Sequence, residues 1–110
     1  MTDRELLELA AKAADEKITW DEYRDYGSYI AYKLRYENEY WNPLYDDGDA
    51  LRLAMQLHLD IEYGFDTVNV RKYSFIEERY LVEIEGIKLN TEGSVRRAIV
   101  QAAAELWKSK

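Results

Sequence analysis

Cysteine is absent from the chain, which removes disulfide frameworks and thiolate metal sites and fits a protein that works in a reducing cytoplasm. Proline occurs once, at Pro43, and histidine once, at His58. No run of apolar residues is long enough to span a membrane. The polar start Met1-Thr2-Asp3-Arg4-Glu5 enters a helix at once, so no secretory signal is expected. Positive charge is in the minority: Lys and Arg number 15 against 22 Asp and Glu, a formal net charge of −7. A groove that follows nucleic-acid phosphates needs clustered Lys and Arg, so direct nucleic-acid binding is not expected. The reverse remains open, an acidic surface that imitates phosphates and occupies another protein's nucleic-acid site.

What is present is globular in composition, 47% hydrophobic and 34% charged over 110 residues, which points to a single domain, residues 1–110. Thr2-Asp3-Arg4-Glu5 has the form of a capping box, and Leu6, Leu7, Leu9, Ala10, Ala13 and Ala14 recur at helical spacing, so helix one is expected to run to about Glu16. Residues 18–24 read as a strand, Asp25-Tyr26-Gly27-Ser28 as a turn, and a second arm follows. In that arm Ile30, Tyr32, Leu34 and Tyr36 face one way and Lys33 and Arg35 the other. Tyrosines at 23, 26, 29, 32, 36 and 40 also suit a helix, but Gly27 and the strict alternation favour strands, whose tyrosines either cover a sheet face or form a recognition surface.

The chain is organised around the stretch from Trp41 to Ala54. Pro43 fixes its own φ and pushes Asn42 toward extended backbone, so the incoming strand ends and the chain turns. Asp46 or Asp47 then caps a helix beginning near Gly48, and Asp49 suits the positive end of its dipole. Ala50, Leu53, Ala54 and Leu57 form its buried face, with Trp41 and Leu44 as a lid over the first turn. Helix two extends to about His58; residues 59–63 suggest a short strand before the turn at Gly64-Phe65-Asp66. A second hairpin pairs 67–73 with 79–85, in which Val68 and Val70 alternate in one arm and Tyr80, Val82 and Ile84 in the other, and Gly86 ends it. Asn90 or Thr91 caps a last helix in which Val95, Ile99, Ala102 and Leu106 share a face. The expected fold is α+β, a layered sandwich in the order α-ββ-α-ββ-α: an antiparallel sheet of about four strands, from two hairpins, packed with three helices.

No catalytic residues and no cofactor are expected. His58 has no cysteine and no nucleophile elbow to work with. Asp46, Asp47 and Asp49 suit capping better than a cation site, because they lack the spacing of a calcium loop and its distal glutamate. Arg96 and Arg97 stand near the start of the last helix, where cations oppose its dipole, so acid is expected beside them. That partner is either internal, among Asp46, Asp47, Asp49 or Glu92, or an anionic ligand held by guanidinium forks and helix-terminal amides with Trp41 or a tyrosine stacking on a base.

Three stretches together carry a family likeness: Leu6-Leu7-Glu8-Leu9-Ala10-Ala11-Lys12-Ala13-Ala14; the run from Trp41-Asn42-Pro43-Leu44-Tyr45-Asp46-Asp47-Gly48-Asp49 through Ala50-Leu51-Arg52-Leu53-Ala54; and Arg96-Arg97-Ala98-Ile99-Val100-Gln101-Ala102-Ala103-Ala104-Glu105. They resemble the phage ABA sandwich domain family, small proteins of tailed bacteriophages and prophages. The likeness implies a sheet flanked by helices and expression in the cytoplasm of an infected bacterium as an accessory protein. The expected function is non-enzymatic binding that counters host antiviral defence, through a host defence protein or by sequestering a nucleotide signal. The candidate surface is Trp41, Asn42, Asp46, Asp47, Asp49, Arg52, Arg96 and Arg97. The alternatives are a small metal-dependent hydrolase or nuclease using Asp46, Asp47 and Asp49, and an acidic DNA mimic or structural protein acting through its surface or by homo-oligomerisation. No membrane partner is expected.

Overall fold

Thr2 and Asp46 decide where the first two helices begin. The computed structural model describes residues 1–21, 30–33 and 41–109, with 21 and 30–33 described by their backbone alone. Thr2 caps α1 (Asp3–Ala13), its hydroxyl oxygen accepting from the Glu5 amide at 3.1 Å. The Glu5 carboxylate lies 3.2 Å from the same hydroxyl, which donates to it. The helix stops short of the expected Glu16. Asp15 adopts left-handed backbone at φ 54°, and the amides of Asp15 and Glu16 turn back to the carbonyls of Lys12 and Ala11. This is the double closure of a Schellman stop, built on aspartate, which tolerates that conformation better than most residues other than glycine. α2 (Asp47–Leu57) begins at the Asp46 cap and ends the same way, with His58 at φ 55° and the amides of His58 and Leu59 donating to Met55 and Ala54. The single histidine is an exposed helix stop.

The strands divide into two sets. β1 (Ile18–Asp21) and β2 (Ile30–Lys33) pair antiparallel, with Ile18 opposite Lys33. The turn expected at 25–28, the rest of the second arm and the tyrosines at 23, 26, 29, 36 and 40 lie outside the described residues. The second set, β3 (Asp60–Tyr63), β4 (Thr67–Ser74) and β5 (Arg79–Lys88), forms an antiparallel sheet in that order. The expected sheet of about four strands from two hairpins is therefore not what forms among the described residues; a three-stranded sheet stands apart from the β1–β2 ribbon.

Two irregularities in β5 correct the alternation expected there. Gly86 does not end the strand. At φ 70° it is a bulge, since one residue of β4, Asn69, stands opposite two of β5, and the Asn69 side chain accepts from the Gly86 amide at 2.7 Å. A second slip, between Lys72 opposite Val82 and Tyr73 opposite Tyr80, skips Leu81. Tyr80 consequently leaves the face it was expected to share with Val82 and Ile84. Val68, Val70 and Val82 are buried on the inner face; Glu62, Arg71, Tyr73, Tyr80, Glu83 and Glu85 occupy the outer one.

The hub is α3 (Gly93–Lys108), which contacts α1, α2, β4 and β5. Ala98, Ala102, Ala103 and Ala104 are all buried, and their small side chains let neighbours approach on several sides at once. One cluster of buried apolar residues joins α3 to Leu6, Leu7 and Ala10 of α1, Leu53 and Leu57 of α2, and the inner sheet face. The helix start departs from expectation: neither Asn90 nor Thr91 caps it, and no side-chain cap bond is made there. Ser94 instead gathers those side chains, donating to Asn90 Oδ1 at 3.2 Å and accepting from the Thr91 amide at 3.3 Å. None of the helices among the described residues is long and apolar enough to cross a membrane.

Candidate functional site

Asp49 is the residue that holds the 41–54 stretch together. The residue is 7% exposed, and its carboxylate accepts from the Asn42 amide at 2.9 Å and from Arg52 Nη2 at 2.7 Å. Asn42 in turn accepts from the Leu44 amide through its side chain, and from the Tyr45 and Asp46 amides through its carbonyl. Asp46 then accepts from the Asp49 amide at 2.8 Å, closing a ring of bonds around the turn that Pro43 begins. Gly48 leaves room for Arg52 to lie across the helix start: a Cβ there would stand 3.2 Å from both terminal guanidinium nitrogens. Trp41 is 3% exposed within the core, so its ring faces are not open to a stacking base.

The three aspartates have different roles, although Arg52 Nη2 lies near both Asp49, at 2.7 Å, and Asp46, at 3.8 Å. Asp46 caps, Asp49 turns inward, and Asp47, whose side chain is 86% exposed, reaches Arg96 Nη1 at 2.6 Å. Among the described residues no group of three or more His, Asp or Glu side chains is arranged to hold a metal ion.

Of the two arginines, only Arg96 meets the central stretch. Its Nε donates to the Leu44 carbonyl at 2.9 Å while its other end pairs with Asp47, tying α3 to the turn before α2. Arg97 points elsewhere and pairs with Asp3, at the start of α1, at 2.8 Å. The acid expected beside the arginines is therefore internal for both, with Asp3 the partner that sequence reasoning missed. Nothing local in the chain announces it, because the starts of α1 and α3 meet only through tertiary packing.

Beside these residues lies an open groove of about 610 Å³, whose walls include Asp3, Tyr45, Lys88, Thr91, Arg96 and Arg97. Lys88, at the end of β5, is paired with exposed Asp66 at 3.0 Å and was not singled out from the sequence. The groove thus gathers three cations and the uncapped start of α3. The Lys88–Asp66 and Arg97–Asp3 pairs are exposed on both sides, and such pairs contribute only about 0–1 kcal/mol, little enough for an anion to displace them. Of the eight candidate residues only Arg96 and Arg97 line it; Trp41, Asn42, Asp46, Asp47, Asp49 and Arg52 do not.

On the outer sheet face Arg71 sits among three glutamates, 3.1 Å from Glu85, 3.3 Å from Glu62 and 4.0 Å from Glu83. Glu83 hydrogen-bonds the neighbouring Glu85, is partly desolvated and receives the weakest share of Arg71, so its carboxyl is held above the usual glutamate range. Glu85, which accepts from both Glu83 and Arg71, is held below it.

No family model, curated protein or solved structure matches the chain.

Proposed function

We propose that the chain is an accessory binding protein of a tailed bacteriophage or prophage, acting in the infected host's cytoplasm by sequestering a nucleotide signal of antiviral defence. The layered sandwich fold implied by the family likeness belongs to the same proposal. The supporting observation is the groove where Lys88, Arg96 and Arg97 meet the start of α3, a helix with no acidic residue in its first turn. Backbone amides and guanidinium groups of that kind suit phosphate, and a volume of about 610 Å³ suits a nucleotide or a dinucleotide. The groove offers cations, hydroxyls and the Asp3 carboxylate.

The test is thermal unfolding of the purified protein against a panel of mono-, di- and cyclic dinucleotides. A ligand present at 100 times its Kd adds about 2.7 kcal/mol of stability. Arg97→Ala and Lys88→Ala are expected to abolish that gain while leaving the unliganded fold intact, whereas Arg96 is unsuitable as a probe because it also braces Leu44. A panel with no stabilising member sinks the reading. Contact with a host defence protein is the second reading, favoured by large apolar side chains displayed at the tip of the β4–β5 hairpin.

A further inference from the structure

We propose that the tip and outer face of the β4–β5 hairpin dock a second protein, one that offers an apolar pocket rimmed by Lys or Arg. Phe75 and Ile76 are 87% and 97% exposed, and neither contributes to the buried core. The loop that carries them is built to hold its shape. Ser74 Oγ accepts from the Glu77 amide at 3.1 Å, Arg79 pairs with Glu77 at 3.4 Å, and Glu78 closes the turn in left-handed backbone at φ 53°.

Behind the tip stands an ordered aromatic row. The ring of Tyr73 meets Phe75 edge-on at 5.1 Å and Tyr80 at 5.0 Å, and the Arg71 guanidinium lies 6.0 Å from the Tyr80 ring. The slip in β5 that carries Tyr80 to the outer face is what completes this row. Aromatic residues and arginine dominate the centres of protein interfaces, and side chains already held in place lose little freedom on binding.

Charge selects the occupant. Glu77 and Glu78 follow the apolar pair, and Glu62, Glu83 and Glu85 crowd the face behind, with Arg71 and Arg79 paired to them among the described residues. A second copy would set these carboxylates against themselves, and an anionic bilayer would repel a chain of net charge −7. A basic rim neutralises them and leaves Phe75 and Ile76 to fill the pocket. None of these residues lines the anion groove, so the surface stands whether or not that groove holds a nucleotide.

The test places a photo-crosslinking benzophenone amino acid at position 76 of the full chain, in cells that naturally express it, and maps the adduct by mass spectrometry. The expected adduct is a peptide of another protein beside a Lys or Arg cluster. With that protein purified, Phe75→Ser and the double change Glu77→Lys with Glu78→Lys are each expected to raise Kd about tenfold or more. Circular dichroism of the variants is expected to match the parent and the melting temperature to fall only slightly, because the altered side chains are exposed and the Arg79–Glu77 pair that one of them breaks is a surface pair. Adducts to a second copy of this chain or to lipid overturn the proposal, as do the absence of any adduct and a Kd indifferent to charge reversal.

Discussion

At the residue scale the molecule separates carboxylates that hold the fold from those that merely decorate it. Asp49 is buried and accepts two charge-assisted bonds; the one from the Asn42 amide is worth roughly 1.5–3 kcal/mol, and the one from Arg52, whose side chain is 62% exposed, less. Asp49→Ala is expected to cost about 3 kcal/mol in urea denaturation, against less than about 1 kcal/mol for Arg97→Ala, whose pair with Asp3 is exposed; equal losses would refute the division. Glu83 gives a pH signature. Its folded-state value is raised, so the proton it holds favours folding below the ordinary glutamate range, and that contribution is lost as pH rises through the folded value. Glu83→Gln keeps a donor for Glu85 and cannot ionise. Its melting temperature is expected to exceed the parent's at about pH 7 and to converge with it at about pH 3.5. A difference that does not change with pH would mean that Glu83 is not the titrating group.

At the element scale the decisive features are where helices stop and where β5 slips. Gly86 occupies φ 70°, and beyond its own chain neighbours no atom lies within 4 Å of where a methyl group would stand. Gly86→Ala therefore tests conformation alone and is expected to cost about 1 kcal/mol in urea denaturation. A neutral result would show that the bulge relaxes. The capping box of α1, an aspartate cap for α2 at Asp46 or Asp47, the buried face of α2 and the hairpin pairing of β4 with β5 were all legible in the sequence, because each rests on residues a few positions apart. The stop of α1 at Asp15 was not, because the usual glycine signal is missing and the left-handed turn is stabilised by the bonds it closes, whereas the end of α2 at His58 falls where the sequence put it. The slip at Leu81 was equally hidden, since strict alternation through Tyr80, Val82 and Ile84 reads the same with or without it.

At the scale of the whole molecule, the centre lies in α3 and not in the tryptophan–aspartate stretch that the sequence brings forward. Ala102 has no exposed surface in a helix packed by other elements on several sides, so Ala102→Leu is expected to cost about 1–3 kcal/mol or more and to lower the melting temperature accordingly; tolerance of leucine there would mean the packing is looser than it looks. The excess of acid acts at the same scale. A net charge of −7 predicts no retardation of duplex DNA or RNA in a gel shift at about 0.1 M salt, and a shifted band would contradict it. What the chain determined by itself was local: an α+β alternation, the caps, the turn at Pro43 and the identity of the charged residues, all set by short-range propensity and hydrogen bonding. What only tertiary structure decided was which of those charges meet. Arg96 reaches Asp47 and Arg97 reaches Asp3 because packing of α3 against α1 and α2 fixes the directions in which side chains leave the helix, and no spacing along the chain encodes that.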